Sequence, residues 1–117
     1  MIQVKFDKSE DGKTLVLTVN GHANQAEAGR DIVCSAASIL ACTVAQCVTF
    51  MYEEHKLRKK PNVRLEDGDA VITCKPHKSF YAEAMHTYSV AQVGFVLLAQ
   101  TYPECVSIKL FGREFNP

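Results

Sequence analysis

The chain has 117 residues, 47% of them hydrophobic and 22% charged; this is the length and make-up of an ordinary globular protein, so a single domain over 1–117 is expected, and disorder or a fibrous architecture is not. Thirteen basic residues balance thirteen acidic ones, which removes the positive field a phosphate-backbone binder relies on, and no direct nucleic-acid contact is expected. The opening residues lack the basic cap and apolar run of a secretory signal, and the apolar stretches at 32–50 and 90–99 are interrupted by polar residues or too short for a bilayer, so no membrane span is expected.

In chain order, Ile2, Val4 and Phe6 alternate with polar neighbours, Asp11-Gly12 supplies a turn, and Leu15, Leu17 and Val19 resume the alternation. This pattern predicts an antiparallel strand pair. Residues 21–30, GHANQAEAGR, are small and polar with a glycine near each end, and read as a loop. Asp31 stands where an N-cap would, opening a long helix whose first part, 32–48, is apolar or small on nearly every face. Its second part, 53–60, is charged, with basic residues suiting the C-terminal end of the helix dipole, and Pro61 marks the stop.

Val63 and Leu65, then Ala70, Ile72 and Cys74, flank Glu66-Asp67-Gly68-Asp69 and predict a second hairpin. Ser79 is a candidate N-cap for a helix from Phe80 to about Thr101, with Ala84, Tyr88, Ala91, Phe95 and Leu98 at helical spacing. Val106, Ile108 and Leu110 alternate as a last strand. The order ββαββαβ implies an α+β fold: a mainly antiparallel sheet with two long helices packed on it.

Five cysteines, Cys34, Cys42, Cys47, Cys74 and Cys105, form an odd set without the close CxxC spacing of a zinc or redox site, which fits reduced thiols in a cytoplasmic setting. His55, His77 and His86 have no neighbour at metal-ligand spacing, so no metal or cofactor is expected. Cys34 differs from the other thiols in its surroundings. If Asp31 caps the helix, Cys34 lies in the first turn, where unpaired amides favour a thiolate, the attacking species of a nucleophilic cysteine. His22 opens the polar loop, and the twelve-position separation lets it fold back beside the sulfur as a general base. Spacing alone leaves a second reading open, because a lone cysteine in an apolar helix is most often a small core residue. Ser38 follows Cys34 by one turn on the same face, and Gly21 and Gly29 serve either as loop hinges or as plain turn glycines.

Gly21-His22-Ala23, Gly29, Asp31-Ile32-Val33-Cys34 and Ser35-Ala36-Ala37-Ser38 together resemble the ribosomal-processing cysteine protease family, and the similarity runs the length of the chain. The resemblance implies a bacterial cytoplasmic endopeptidase that removes a short N-terminal extension from a large-subunit ribosomal protein precursor, L twenty-seven, cutting after a hydrophobic, Phe-rich segment. It implies His22 as base and Cys34 as nucleophile, with Asp31 and Ser38 as motif positions in supporting roles, and a two-layer α/β sandwich that forms a homodimer. Backbone amides near 33–35 would then hold the oxyanion. The competing class is a non-enzymatic ribosome-associated module that clamps a peptide without cutting it; thiol redox sensing would need a resolving partner for Cys34 that the sequence does not supply.

Overall fold

Period-two alternation builds the sheet. The computed structural model describes residues 1–22 and 28–115, with the backbone alone for residues 28–31, 114 and 115. Strands β1 (Ile2–Lys8), β2 (Leu15–Asn20), β3 (Asn62–Glu66), β4 (Asp69–Cys74), β5 (Val106–Leu110) and β6 (Arg113–Phe115) form one sheet in the order β3-β4-β2-β1-β5-β6. Every neighbouring pair is antiparallel except β1 and β5. The register sets apolar against apolar across the strands: Val4 pairs with Val19 and Ile108, and Leu17 with Phe6 and Ile72. All of these are buried, while Gln3, Ser107 and Lys109 on the opposite face are exposed. One-sided burial of this kind makes the alternation legible in β1, β2, β4 and β5, since a one-residue slip would turn the whole apolar set outward, whereas β3 is exposed along its length.

Helices α1 (Ala28–Glu53) and α2 (Tyr81–Thr101) cover the apolar face. α1 buries Val33, Ala37, Ala41, Val44, Ala45, Val48 and Met51; α2 buries Ala84, Tyr88, Ala91, Phe95, Leu98 and Ala99. Phe95 has no exposed surface and meets Phe6 edge to face, the ring centroids 5.9 Å apart at 67°. At Gly94 the helices come so close that an added Cβ would lie 2.7 Å from Leu40 Cδ2, so the missing side chain is what lets α1 and α2 approach. The α+β class and the two helices on a mostly antiparallel sheet agree with the expectation. The observed order adds β6, which follows a turn with Phe111 (φ 52°) and Gly112 (φ 82°) in the left-handed region.

Both ends of α1 correct the sequence reading. It begins at Ala28, because Ala28 and Arg30 are good helix formers that carry it a turn upstream of Asp31. Asp31 is therefore not the N-cap, and Gly29 belongs to the helix and not to the loop. α1 also stops at Glu53, before the charged run. His55 adopts φ 61°, its amide donates to Tyr52 O (3.0 Å) and the Lys56 amide donates to Met51 O (2.9 Å), the paired bonds of a Schellman stop with histidine where glycine is usual. The last turn of α1 has no basic residue. Beyond it Arg58 N bonds Lys75 O and His77 N bonds Lys56 O, so this segment runs beside the end of β4 with Leu57 buried. Lys56 then ties the two helices through Glu83, with both carboxylate oxygens at 3.1 Å. Ser79 does not cap α2; it lies in a 3-10 turn, Lys78–Phe80, that leads into the helix.

Ile32–Glu53 is long and apolar enough, by length and composition, to cross a membrane, which corrects the view that its polar residues disqualify it. Thr43 and Thr49 donate their hydroxyls to Ile39 O (2.7 Å) and Ala45 O (2.8 Å) one turn back, so they interrupt the apolar surface little. In the fold one face of this stretch is packed on the sheet and α2. Cys42 is exposed on the helix surface, whereas Cys74 and Cys105 are buried.

Burial pushes the Cys74 thiol up to about 11, against an ordinary 9.0, with the Tyr88 hydroxyl beside it as a smaller opposing influence. An acid whose folded pKa is raised holds its proton in the native state while the unfolded chain loses it. Its stabilising contribution is therefore complete below pH 9 and is lost as pH rises toward 11. The loss is about 3 kcal/mol, from the 1.36 kcal/mol carried by each tenfold change. Denaturant titrations at pH 8 and pH 11 are expected to show a smaller alkaline loss for Cys74→Val than for the parent; equal losses would exclude Cys74 as the source.

Candidate active site

β2 and β4 are neighbours with Asn20 opposite Asp69, so the residues after β2 arrive beside the turn of the second hairpin. Gly21 continues the contact: its amide donates to Gly68 O at 2.9 Å. At φ 97° it occupies backbone space that L-residues avoid, and a Cβ there would collide with Met1 O. Gly21 is thus a fixed corner, tied to two other segments. His22 follows, its carbonyl accepting from the Met1 amino nitrogen at 2.6 Å. Residues 23–27 and the side chain of Asp31 lie outside the described residues, and with them the supporting role expected of Asp31.

His22 and Cys34 line one cleft of about 80 Å³. Its first wall comes from β1, β2 and the residues after them, with Ile2, Val19, Gly21 and His22; its second from α1, with Cys34, Ala37, Ser38 and Ala41; its third from the β3–β4 hairpin, residues 66–70. Val33 and Ala37 are buried on the inner face of α1, which leaves Cys34 half-buried at the helix edge, turned into the cleft. Ser38 is exposed one turn further along the same wall. The structure therefore brings together His22, Cys34, Ser38 and Gly21 from separate elements; Gly29 is not among the lining residues. No hydrogen bond joins His22 to Cys34 among the described residues, a looseness common in sites without substrate.

The helix start upstream of Asp31 changes the electrostatic account. Cys34 is the seventh residue of α1 and stands in its second turn, beyond the reach of the unpaired first-turn amides. The amides of 33–35 likewise fall within the helical ladder and are committed to carbonyls four residues back, so the expected oxyanion donors at the helix start are not available in this fold.

Sequence reasoning missed the third wall. Glu66, Asp67, Gly68 and Asp69 read locally as a turn, and only the β2–β4 pairing places them at the cleft. Asp69 is partnered by Arg64 at 3.0 Å and by Asn20, whose amide, assigned with nitrogen as donor, reaches Asp69 Oδ1 at 2.8 Å. The first bond ties the two strands of the hairpin together, and the second pins the hairpin to the end of β2.

A cleft that sets a thiol and an imidazole from different elements among strand, helix and hairpin residues, on a two-layer α+β frame, carries the two groups that a thiol hydrolase uses. Residues 1–107 match the family described as cysteine protease Prp, and the chain belongs to that family. It is a cysteine protease, which decides against the non-catalytic module. The fold is shared with the ribosomal processing protease Prp from S. aureus in complex with a covalently linked product peptide (21% identity, TM-score 0.66, covering 94% of this chain and 99% of that one). It is also shared with SMU.848 from Streptococcus mutans (23% identity, TM-score 0.67, covering 95% and 94%). The same S. aureus protease with a substrate peptide gives 21% identity and a TM-score of 0.60, covering 94% and 99%. No curated protein sequence matches the chain.

Proposed function

We propose that the chain is a cytoplasmic endopeptidase that removes the N-terminal extension of a bacterial large-subunit ribosomal protein, L twenty-seven, cutting after a hydrophobic, Phe-rich segment. The observation that carries the catalytic part is the convergence of His22 and Cys34, twelve positions apart, on one cleft. The substrate class is supported by family membership and by the ribosomal processing protease that shares the fold. The apolar part of the cleft, with Ile2, Val19, Ala37 and Ala41, suits a hydrophobic residue beside the scissile bond.

In this reading His22 takes the proton of Cys34, and sulfur attacks the scissile carbonyl. Collapse of the tetrahedral adduct expels the amine of the mature protein, which leaves with the proton held by His22. Water, deprotonated by the same imidazole, then attacks the thioester, releasing the extension as a free acid and returning the proton to sulfur. Ser38 sits beside Cys34 to hydrogen-bond the substrate backbone. Incubating the protein with a peptide spanning the extension and the mature N-terminus tests the proposal. One cut after the Phe-rich segment is expected from the parent, and an intact peptide would defeat the reading.

We also infer a homodimer formed through the outer faces of the helices. Ile39, Val90, Val93 and Leu97 are each about three-fifths exposed and form an apolar surface, uncharacteristic of a face left in water. An isologous contact with a second copy would cover it. Light scattering is expected to give twice the 13.0 kDa chain mass, and the monomer mass for a Val93→Asp, Leu97→Asp variant. A monomeric parent would contradict the assignment.

A further inference from the structure

The geometry points to Gly68 as a positioning residue for His22: the bare backbone of the β3–β4 turn is the seat on which the imidazole rests. The inference deepens the reading of His22 as the base and rests on it. An ideal Cβ built on Gly68 would lie far inside van der Waals contact of His22 Nε2, 2.9 Å from Cε1 and 3.0 Å from Cδ2. Three ring atoms thus crowd the position where any other residue would carry its first side-chain carbon, and Nε2 is the nearest of them. The rest of the seat is equally fixed. Gly21 N bonds Gly68 O, Met1 N bonds His22 O, and Asp69 is paired with Arg64 within the hairpin and with Asn20 at the end of β2.

His22 is exposed and therefore not locked in place by core packing. What limits its ring on the hairpin side is Gly68, so a side chain there would push the imidazole off its seat in the cleft it shares with Cys34 at small cost to the fold. Catalytic groups are sensitive to displacements on the order of 1 Å, which can cost about a hundredfold in rate.

The first hairpin supplies an internal control. Gly12 has the same φ of 72° as Gly68, but nothing lies within 4 Å of its Cβ position. Asparagine tolerates the left-handed region, so Gly12→Asn and Gly68→Asn make the same backbone demand and differ in the ring contact. With the precursor peptide as substrate, kcat is expected to fall roughly 10- to 100-fold in Gly68→Asn with KM within about twofold, and to stay near the parent in Gly12→Asn. A parent that cleaves while both variants match it, or fall alike, overturns the seat. A parent that does not cleave removes the reading of His22, and the positioning role with it. Should Gly68→Asn fail to fold, the parent decides alone by NMR: a cross-peak between the Gly68 α-protons and the His22 ring protons is expected, and its absence overturns the contact.

Discussion

Cys34→Ala is expected to abolish cleavage of the precursor peptide, lowering kcat by at least roughly a thousandfold, the scale on which removal of a nucleophile acts in hydrolases that form covalent intermediates. No neighbouring group in the cleft replaces it. Ser38 is one turn away on the same helix face, and a hydroxyl there has neither the acidity nor the nucleophilicity of a thiol. Because Cys34 is half-buried at the edge of α1 and alanine is a good helix former, the fold should be kept, and thermal unfolding of the variant is expected within a few degrees of the parent. Peptide affinity measured by fluorescence polarisation should be largely retained. His22→Ala is expected to lose activity on a similar scale, and the double variant to lose little more, since the two groups act as a unit. Cys34→Ala retaining a tenth of the parent's turnover would move the nucleophile elsewhere.

Phe95→Ala carries the largest expected effect on stability, about 3–5 kcal/mol, which appears as a melting temperature lower by on the order of 15 °C. Phe95 is wholly buried on the inner face of α2, with its ring in an edge-to-face contact with Phe6 from the central strand β1. Alanine deletes the aromatic contact and leaves a cavity between helix and sheet, where neither rigid element can collapse to fill it. Phe95→Leu, which keeps most of the volume, should recover more than half of the loss. A melting temperature within 3 °C of the parent for Phe95→Ala would mean that α2 packs otherwise than described.

Strands β1, β2, β4 and β5 and the inner face of α2 were legible in the sequence because each is set by a local period, whereas the short β6 was not. Ile2, Val4 and Phe6 against Leu15, Leu17 and Val19 declare a one-sided sheet, and Ala84, Tyr88, Ala91, Phe95 and Leu98 declare one helix face. The limits of α1 were not, because local chemistry gave misleading signals at both ends. Asp31 resembles a cap inside a run that is already helical, and His55 takes a left-handed conformation usually left to glycine, before a basic run that mimics a helix end. His22 and Cys34, singled out by the loop, the spacing and the motif, line one cleft. The wall opposite them was hidden because the partnership of β2 with β4, across some fifty residues of chain, leaves no trace in either segment alone. Gly68 looked like any turn glycine for the same reason.

The parallel pairing of β1 with β5 joins residues 2–6 to residues 106–110 at the middle of the sheet. Such a topology has high contact order: loop-closure entropy must be met before this pair forms, which makes folding slow relative to a helical bundle. Until residues 106–110 are free to pair, one flank of β1 is an open edge. Ile2, which helps wall the cleft, is anchored by that same closure through Cys105 O at 2.8 Å. The wall that Ile2 gives the cleft thus rests on a strand, residues 106–110, that lies a hundred positions away in sequence.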